Sequence, residues 1–331
     1  MEKFYDWLTN INSLDFHEKS ALIIGSSEMS RQYALALKKF GIDDITIIAK
    51  SGKYISKFCE GENIYLKTGG YEKNISQIEE KDLTIIALPI PDTINAMKMV
   101  IENVQKNILI EKPGSLYYKE LESASELYPE IQIRVAYNRL VYPNFYKLKE
   151  LVEKDAGITS CRFTFTELLS RIDFEKDVFE VYQRWGISNS LHVISMAFEL
   201  IGMPKEMSCF QKDTLEWHKS GSTFVGAGIS NKDIPFSYNA DWGSGGRWGL
   251  EVNTRKNSYQ LIPLEEIYKC PKDTFEWKKV DFEKAFSDIK QGIAEEVAIM
   301  LQNQVEIKEN LPNLKKTVEF NKIAEKIFGY T

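Results

Sequence analysis

The sequence has little cysteine, and its cysteines are far apart. Only four stand among 331 residues, at positions 59, 161, 209 and 270, so there is no Cys-x-x-Cys pair. Structural zinc and iron–sulfur clusters built on such pairs are therefore disfavoured, and we predict no metal site. Scattered cysteines without an export signal fit a reducing cytoplasm, where we expect them to be small buried hydrophobic side chains.

Long apolar runs are missing as well. No stretch approaches the roughly 18 apolar residues that would span a bilayer, and residues 1–20 carry acids where a signal peptide would be apolar. The net charge of −6 comes without a basic cluster that would mark a nucleic-acid footprint. The sequence therefore predicts a cytoplasmic protein that binds neither a membrane nor a nucleic acid.

What the chain does have is a globular composition, with 43% hydrophobic and 27% charged residues. Its first part alternates short apolar segments with stretches of helical spacing. The predicted strands cover 21–24, 45–49, 83–88, 107–110 and 131–135, and the predicted helices cover 28–40, 92–104 and 117–127. Such alternation is typical of βαβ units whose parallel sheet is covered on both faces. We predict an α/β fold with a Rossmann-type doubly wound parallel sheet over residues 20–137, after a helical extension over 1–19.

The pattern changes after residue 138. Helical spacing predicts helices near 143–155, 186–202, 282–304 and 311–328, and alternation predicts a strand over 161–166. Residues 206–280 are rich in Ser, Thr, Tyr, Trp and Gly and hold several alternating runs, as antiparallel strands with one solvated face do. Residues 138–331 are therefore predicted to form an α+β domain with a mostly antiparallel sheet.

The turn after the first strand is the first candidate for a ligand site. It reads G-S-S-E-M-S over residues 25–30 and keeps only the first of the three glycines of a dinucleotide fingerprint. Small residues still let a pyrophosphate approach the backbone at a helix N-terminus. Gly25, Ser26, Ser27 and Met29 are thus predicted cofactor contacts, with an ordinary strand-to-helix turn as the alternative.

The end of the second strand bears on the choice of cofactor. An NAD enzyme places an acid there for the ribose hydroxyls, whereas this strand is followed by Lys50, Ser51 and Lys53. These side chains suit a 2′-phosphate, so NADP(H) is favoured over NAD(H). Two solvated loop lysines are the alternative.

The tripeptide Glu111-Lys112-Pro113 follows the predicted strand 107–110. Lys112 therefore lies at the carboxyl end of the parallel sheet, where open α/β sheets bind their ligands. A lysine in a dry cleft can shift its pKa toward neutrality and move protons. An ordinary surface Glu–Lys pair is the alternative.

Two later stretches add to this pattern: A-Y-N-R-L over residues 136–140 and G-I-S-N-S-L-H over residues 186–192. With the Gly-led turn and Glu-Lys-Pro, they make almost the whole chain resemble the Gfo/Idh/MocA oxidoreductase family. The resemblance implies that the first domain binds NAD or NADP and that the second holds a sugar or sugar nucleotide. A hydride would pass between the nicotinamide and a carbinol carbon. A homo-oligomer, a dimer or a tetramer, is implied as well.

The resemblance also implies roles for single residues. Lys112 and His192 would handle the alcohol proton, and Ser188 stands where the family has an aspartate one turn before the histidine. Further residues are then expected at the site. On the cofactor side these are Leu88, Pro89, Asn95 and Glu111, and on the substrate side Asn138, Arg139 and Asn189.

The residues themselves offer more substrate contacts, each with a plain structural alternative. An unperturbed pKa near 6.5 suits His192 for proton exchange, with a buried, hydrogen-bonded core histidine as the alternative. Arg184 with Trp185 is a candidate anion contact, and Arg247 could bind a phosphate or carboxylate. Arg247 lies in the segment W-G-S-G-G-R-W-G over residues 242–249, which predicts either a platform for stacking on a sugar or base or a β-hairpin.

Two other functions remain open at this stage. A non-catalytic relative would keep the fold and bind a nucleotide or sugar as a sensor or scaffold, as the two missing loop glycines and Ser188 suggest. A lyase or epimerase would instead use a bound cofactor that is recycled within each turnover.

Overall fold

The computed structural model describes residue 8 and residues 10–330, which form two compact units. The first unit contains the described residues up to Val141 together with Lys284–Val318, and the second contains Tyr142–Glu283 and the described residues from Glu319 onward. The division differs from the predicted one because Lys284–Val318 returns to the first unit. Of the helical extension predicted over 1–19, residues 1–7 and residue 9 lie outside the described residues. Within 10–19, only Ile11–Ser13 form a 3-10 turn.

The first unit is built on a six-stranded parallel sheet with the strand order β3-β2-β1-β4-β5-β6. Its strands are β1 (Ser20–Ile24), β2 (Asp44–Ala49), β3 (Tyr65–Thr68), β4 (Leu83–Ile86), β5 (Asn107–Glu111) and β6 (Gln132–Ala136). This is the strand order of a doubly wound dinucleotide-binding sheet, and the order reverses between β1 and β4. The predicted Rossmann-type sheet is confirmed, and β3 is an additional edge strand.

Helices cover this sheet. They are α1 (Glu28–Lys39), α2 (Ser56–Gly61), α3 (Tyr71–Asn74), α4 (Ile90–Glu102) and α5 (Tyr118–Leu127), followed late in the chain by α9 (Ile293–Leu301) and α10 (Val305–Lys308). The central strands are buried on both faces, as their continuous apolar sequences require. Helix α9 packs against α1 and against the 3-10 turn Asn138–Val141.

The helix predicted over 282–304 is shorter than expected, because it begins only at residue 293. Gly292 precedes it in the left-handed region with φ +90°, and a Cβ there would lie 2.4 Å from the carbonyl oxygen of Asn138. Residues 282–292 contain no helix, although Phe282, Phe286 and Ile289 have helical spacing. A right-handed helix needs a negative φ at every residue, so none can run from these residues through Gly292 into the helix that begins at residue 293.

The second unit contains an eight-stranded sheet of order β14-β13-β12-β11-β7-β10-β9-β8. Its strands are β7 (Ser160–Phe165), β8 (Pro204–Lys212), β9 (Thr223–Ser230), β10 (Pro235–Asp241), β11 (Trp248–Asn253), β12 (Asn257–Leu261), β13 (Tyr268–Pro271) and β14 (Lys278–Lys279). All neighbours are antiparallel except β7 and β10. The predicted mostly antiparallel sheet is therefore confirmed.

One face of this sheet is apolar and covered. The helices of the second unit are α6 (Pro143–Lys154), α7 (Phe179–Gln183) and α8 (Leu191–Ile201). A further helix, α11 (Leu314–Phe328), begins in the first unit and ends in the second. Phe163 of β7 packs edge-on against Phe198 of α8, with ring centroids 5.7 Å apart. The opposite face is open, and Phe210, Val225 and Ile229 are exposed on it. Among the described helices, none combines the length and apolar character needed to cross a membrane.

Candidate functional site

The carboxyl ends of β1 and β4 lie side by side where the strand order reverses. Gly25 follows β1 with φ +134°, and a Cβ on it would lie 2.2 Å from the carbonyl oxygen of Ala87, which follows β4. Any side chain at residue 25 would therefore collide with the neighbouring backbone. The first glycine of the predicted fingerprint stands where the fold itself demands glycine.

The rest of the loop leads directly into α1. Ser27 is the N-cap of this helix, and its Oγ accepts a long hydrogen bond of 3.4 Å from the backbone N–H of Ser30. Glu28 is exposed, and its carboxylate accepts a hydrogen bond of 3.2 Å from the side chain of Gln32 on the same helix. The loop thus combines a side-chain-free backbone at Gly25 with a helix N-terminus, an arrangement that fits a pyrophosphate.

The loop after β2 presents the predicted basic residues. Lys50, Ser51 and Lys53 are exposed there. The structure adds Arg31, whose guanidinium donates to the backbone carbonyl of Tyr54 in the same loop. Sequence reasoning missed Arg31 because it stands on α1, and only the parallel pairing of β1 and β2 brings it to this loop.

The segment between β4 and α4 also lies at the carboxyl edge of the parallel sheet. Leu88 is half-buried, Pro89 is the exposed N-cap of α4, and Asn95 is exposed on the second turn of that helix. These positions are compatible with contact to a ligand that crosses the ends of β1 and β4, as predicted for the cofactor. Leu88, Pro89 and Asn95 stay predicted cofactor contacts.

Glu111 ends β5, and Lys112 follows it with a cis peptide bond to Pro113. The Glu111 carboxylate accepts a hydrogen bond of 2.9 Å from the phenolic hydroxyl of Tyr33 on α1. Burial raises the pKa of Glu111 above its ordinary value, although the Tyr33 hydrogen bond and the charge of Lys112 act in the opposite direction. Lys112 itself is half-buried at the carboxyl edge of the sheet.

The residues after β6 lie against the late helix of the same unit. Asn138 is buried, and its side-chain amide donates a hydrogen bond of 3.2 Å to the carbonyl oxygen of Gln291. Arg139 is half-buried beside it. The observed contact of Asn138 is structural, and a role for either residue in binding substrate remains a prediction.

In the second unit, a buried carboxylate binds the start of the helical segment predicted over 186–202, which contains His192. Glu167 follows β7 and is only 6% exposed. It accepts hydrogen bonds from Ser190 Oγ at 2.6 Å, Asn189 Nδ2 at 2.9 Å and Trp248 Nε1 at 3.2 Å. Burial raises its pKa in spite of these donors. Sequence reasoning missed Glu167, and an acid directly after an alternating apolar strand is the signal that could have found it.

The helix itself does not begin as a regular α-helix. Gly186–Ser190 form a π-helical turn that continues into α8, and wide turns of this kind often occur at functional sites. Ser188 Oγ donates toward the carbonyl oxygen of Val181 at 3.3 Å. His192 is buried, and its ring centroid lies 5.9 Å from that of Trp248. Trp248 therefore contacts His192 with its ring while its N–H binds Glu167.

Arg184 and Trp185 have partners within the second unit. The guanidinium of Arg184 donates to the Glu325 carboxylate and lies 4.7 Å from the ring centroid of Tyr330. The ring of Trp185 stacks on Tyr182, with centroids 5.8 Å apart. An anionic ligand at Arg184 would have to compete with Glu325, so this arginine has a structural task whether or not it also binds substrate.

The segment over 242–249 is neither a hairpin nor a platform of two tryptophans. Strand β7 lies between β10 and β11, so the segment crosses the end of β7 instead of joining two neighbouring strands. Trp242 is buried and packs against His218, with centroids 4.7 Å apart, whereas Trp248 is half-buried in β11. Arg247 is exposed in the crossing loop.

Solved structures of low sequence identity share the fold of this chain. Levoglucosan dehydrogenase, in complex with NADH and L-sorbose, is 15% identical with a TM-score of 0.74, over 93% of this chain and 95% of that one. UDP-N-acetylglucosamine 3-dehydrogenase GnnA from Acidithiobacillus ferrooxidans is 11% identical with a TM-score of 0.69, over 93% and 96%. Biliverdin reductase from Synechocystis sp., in complex with biliverdin and NADP+, is 12% identical with a TM-score of 0.68, over 92% and 96%.

No protein-family model matches the sequence, and no curated protein matches it. At 11–15% identity the similarity to solved structures establishes the two-domain fold. It does not transfer a substrate, because the same fold serves a sugar dehydrogenase and a biliverdin reductase.

Proposed function

We propose that this chain, which has the predicted two-domain fold of Gfo/Idh/MocA-type oxidoreductases, is an NAD(P)-dependent oxidoreductase. Its substrate is a sugar or a sugar nucleotide, and its product differs by the oxidation state of one carbinol carbon. The similar structures include two dehydrogenases of this substrate class, one bound to NADH. They support the class of reaction, and the site residues support its details.

The observation that carries the proposal is the backbone at the reversal of strand order. Gly25 leaves the space above β1 free of side chain, and its neighbour across the reversal is the backbone of Ala87. Dinucleotides bind at this place in open α/β sheets, with the pyrophosphate at the following helix N-terminus. Gly25, Ser26 and Ser27 would hold the pyrophosphate, because they connect β1 to the start of α1.

The cofactor we favour is NADP(H). The loop after β2 contains Lys50, Ser51 and Lys53 and no acid, and Arg31 is bonded to that loop from α1. A guanidinium binds a phosphate through paired N–H donors, and lysines add charge. An acid that would prefer the unphosphorylated ribose is absent from residues 50–54.

The nicotinamide supplies the hydride chemistry when it is bound, and the chain supplies position and proton transfer. Lys112, at the end of β5, would hold the substrate hydroxyl and exchange its proton. His192 is the second proposed acid–base group, and Glu167, through Trp248 and the π-helical turn, fixes the surroundings of that histidine. Asn189 and Arg247 remain proposed substrate contacts.

The proposal extends to assembly and location. The open face of the second unit's sheet carries Phe210, Val225 and Ile229 on adjacent strands, which supports pairing with a second copy through that face. We propose a homo-oligomer that works in the cytoplasm.

Dinucleotide binding is the experiment that tests the proposed function. Purified protein is denatured and analysed for released NAD(H) and NADP(H), and stripped protein is then titrated with NADH and NADPH by fluorescence. We expect saturable binding at micromolar concentration or below, tighter for NADPH. A protein that releases no cofactor and binds neither dinucleotide at millimolar concentration would contradict the proposal and favour a ligand-binding relative without redox chemistry.

A further inference from the structure

A buried chain of three side chains leads from the interior of the first unit to the residue before Lys112. Tyr33 of α1 places its hydroxyl oxygen 2.9 Å from Glu111 Oε1 and 3.0 Å from Glu296 Oε2 of α9. Tyr33 and Glu296 are both 0% exposed. The chain therefore joins a carboxyl group inside the unit to a carboxyl group at the ligand edge of the sheet.

The hydrogen atoms of this chain can be counted. A phenolic hydroxyl has one hydrogen to donate, and an ionised carboxylate can only accept. With both carboxyl groups ionised, one of the two short contacts would bring together lone pairs alone, around a phenol that is 0% exposed. One carboxyl group must therefore be protonated, and its O–H donates a hydrogen bond to the oxygen of Tyr33.

Two observations assign that proton to Glu296. Its second oxygen, Oε1, is buried and accepts no hydrogen bond from the described residues. At such a position an ionised carboxylate would lose far more hydration free energy than a neutral carboxyl group. The carboxylate of Glu111, by contrast, also accepts a bond from the backbone N–H of Lys112 and faces the charge of that lysine.

We propose that Tyr33 and Glu296 are positioning residues for Lys112, because with Glu111 they form a chain that stores one proton and sets the charge beside this lysine. The inference rests on the proposed function only for the role given to Lys112. In the stored state Glu296 donates to Tyr33, and Tyr33 donates to the Glu111 carboxylate.

The chain can also move its charge without gaining or losing a proton. The O–H bond of Glu296 breaks as its hydrogen passes to Tyr33, and the original hydrogen of Tyr33 passes to Glu111. Glu111 becomes neutral and Glu296 becomes the anion. Such a shift would adjust the negative charge next to Lys112 when that lysine gives up or regains its proton.

Other charged groups surround the chain and enter its titration. Glu295 is the neighbour of Glu296 on α9, and burial raises its pKa to about 7. Lys290 precedes that helix, Lys112 follows Glu111, and Arg139 stands on the turn that packs against α9. Glu295, Lys290, Lys112 and Arg139 are unchanged in Glu296→Gln and Tyr33→Phe, so differences between these variants and the wild type report on Tyr33, Glu111 and Glu296.

The stored proton is tested by stability, without any need for activity. Burial raises the pKa of Glu296 well above its ordinary range, so above the unfolded pKa of about 4.3 the folded protein binds more protons than the unfolded one. The stability that Glu296 contributes is complete below that value and is lost as the pH rises. Glu296→Gln keeps the shape and cannot ionise.

We expect the folding equilibrium constant of Glu296→Gln, relative to wild type, to grow with pH by up to about tenfold per unit between pH 5 and 8. Urea unfolding at each pH measures it. A ratio that stays constant over this range, or falls, would mean that Glu296 is already ionised in the fold and would overturn the stored proton.

The effect on Lys112 is tested by NMR of lysines labelled at the ε-carbon, with the Lys112 signal assigned by its loss in Lys112→Arg. Tyr33→Phe breaks the chain, so Glu111 can no longer receive the stored proton and stays anionic beside Lys112 with one donor fewer. We therefore expect the Lys112 titration midpoint to rise, with an about threefold stronger proton affinity. Tyr259→Phe is the matched control, since it removes a buried phenol that donates to Asp155 in the second unit.

An unchanged Lys112 midpoint in Tyr33→Phe would overturn the positioning role, as would an equal shift in Tyr259→Phe. The stability comparison uses Glu296→Gln alone and holds even if Tyr33→Phe does not fold. Neither measurement uses a dinucleotide. A failure of the proposed function therefore appears in the NADPH titration and a failure of the proton chain appears here.

Discussion

Replacing Glu167 by alanine tests whether one buried carboxylate stabilises the start of the helical segment that contains His192. The change removes the acceptor for Ser190 at 2.6 Å, Asn189 at 2.9 Å and Trp248 at 3.2 Å. Ser190 is fully buried, so its lost bond costs about 1–3 kcal/mol, while the half-buried donors of Asn189 and Trp248 can turn to water. Removing the buried carboxyl group also removes its desolvation cost, which offsets part of this loss, so we expect a destabilisation of about 1–2 kcal/mol.

Glu167→Gln is the matched control, because its amide oxygen can replace Oε1 and keep the bonds from Ser190 and Trp248. The new amide group faces Asn189, whose own amide can turn by half a rotation and accept from it. The loss at pH 7 should therefore stay below about 1 kcal/mol. Since burial raises the pKa of Glu167, the wild type loses stability as the pH rises through the folded pKa. Glu167→Gln cannot ionise, so its stability relative to the wild type should increase as the pH rises from 5 to 8.

Urea unfolding followed by tryptophan fluorescence and by circular dichroism measures these differences. Trp248 reports locally in the first signal, because its N–H is bonded to the carboxylate. The reasoning is refuted if Glu167→Ala unfolds within about 0.5 kcal/mol of the wild type. It is equally refuted if Glu167→Gln is as unstable as Glu167→Ala, since the loss would then come from the charge and not from the acceptor.

Four further single-residue variants test the proposed roles of residues in the two units. Gly25→Ala should abolish dinucleotide binding in a fluorescence titration, because its Cβ would lie 2.2 Å from a backbone oxygen. Arg31→Ala should weaken NADPH binding about tenfold and leave NADH binding within about twofold, as expected for the loss of one phosphate contact. Lys112→Ala should keep NADPH binding and lose most turnover, and a variant retaining more than half the activity would disprove its role. Phe210→Asp, on the open sheet face, should shift the protein toward monomers in sedimentation.

The sequence predicts the parallel sheet well because buried strands have continuous apolar runs, as in Leu83–Ile86 and Asn107–Glu111. Strand β3 (Tyr65–Thr68) escapes the same reasoning. It lies at the edge of the sheet and none of its residues is fully buried, so no apolar run marks it. The helix predicted over 282–304 fails for a different reason. Phe282, Phe286 and Ile289 have helical spacing, but Gly292 has φ +90°, which a right-handed helix cannot contain, so the helix begins only at residue 293.

The sequence places Gly25 and Lys112 at the edge of the parallel sheet where the structure has them, because the carboxyl ends of parallel strands share an edge. Their roles in binding and catalysis stay predictions. Tyr33, Glu167 and Glu296 are missed, because their contacts join residues far apart in the chain: Tyr33 and Glu296 are separated by 263 positions. One local signal does exist, since Glu296 is an acid within the apolar stretch of α9, and a charged residue in such a place needs a buried partner.

The fold accommodates serine at two of the three glycine places of the dinucleotide fingerprint, and the backbone explains why. Ser27, at the third place, has φ −74°, an ordinary extended value that any residue adopts. Ser30, at the sixth, lies in the first turn of α1 and is fully buried, with its Oγ 3.0 Å from where a Cβ of Gly25 would stand. A serine is thus small enough for the close approach of helix and strand that the third glycine usually serves. Of the three places, only Gly25 has both a positive φ and a backbone atom within collision distance, so it alone must be glycine.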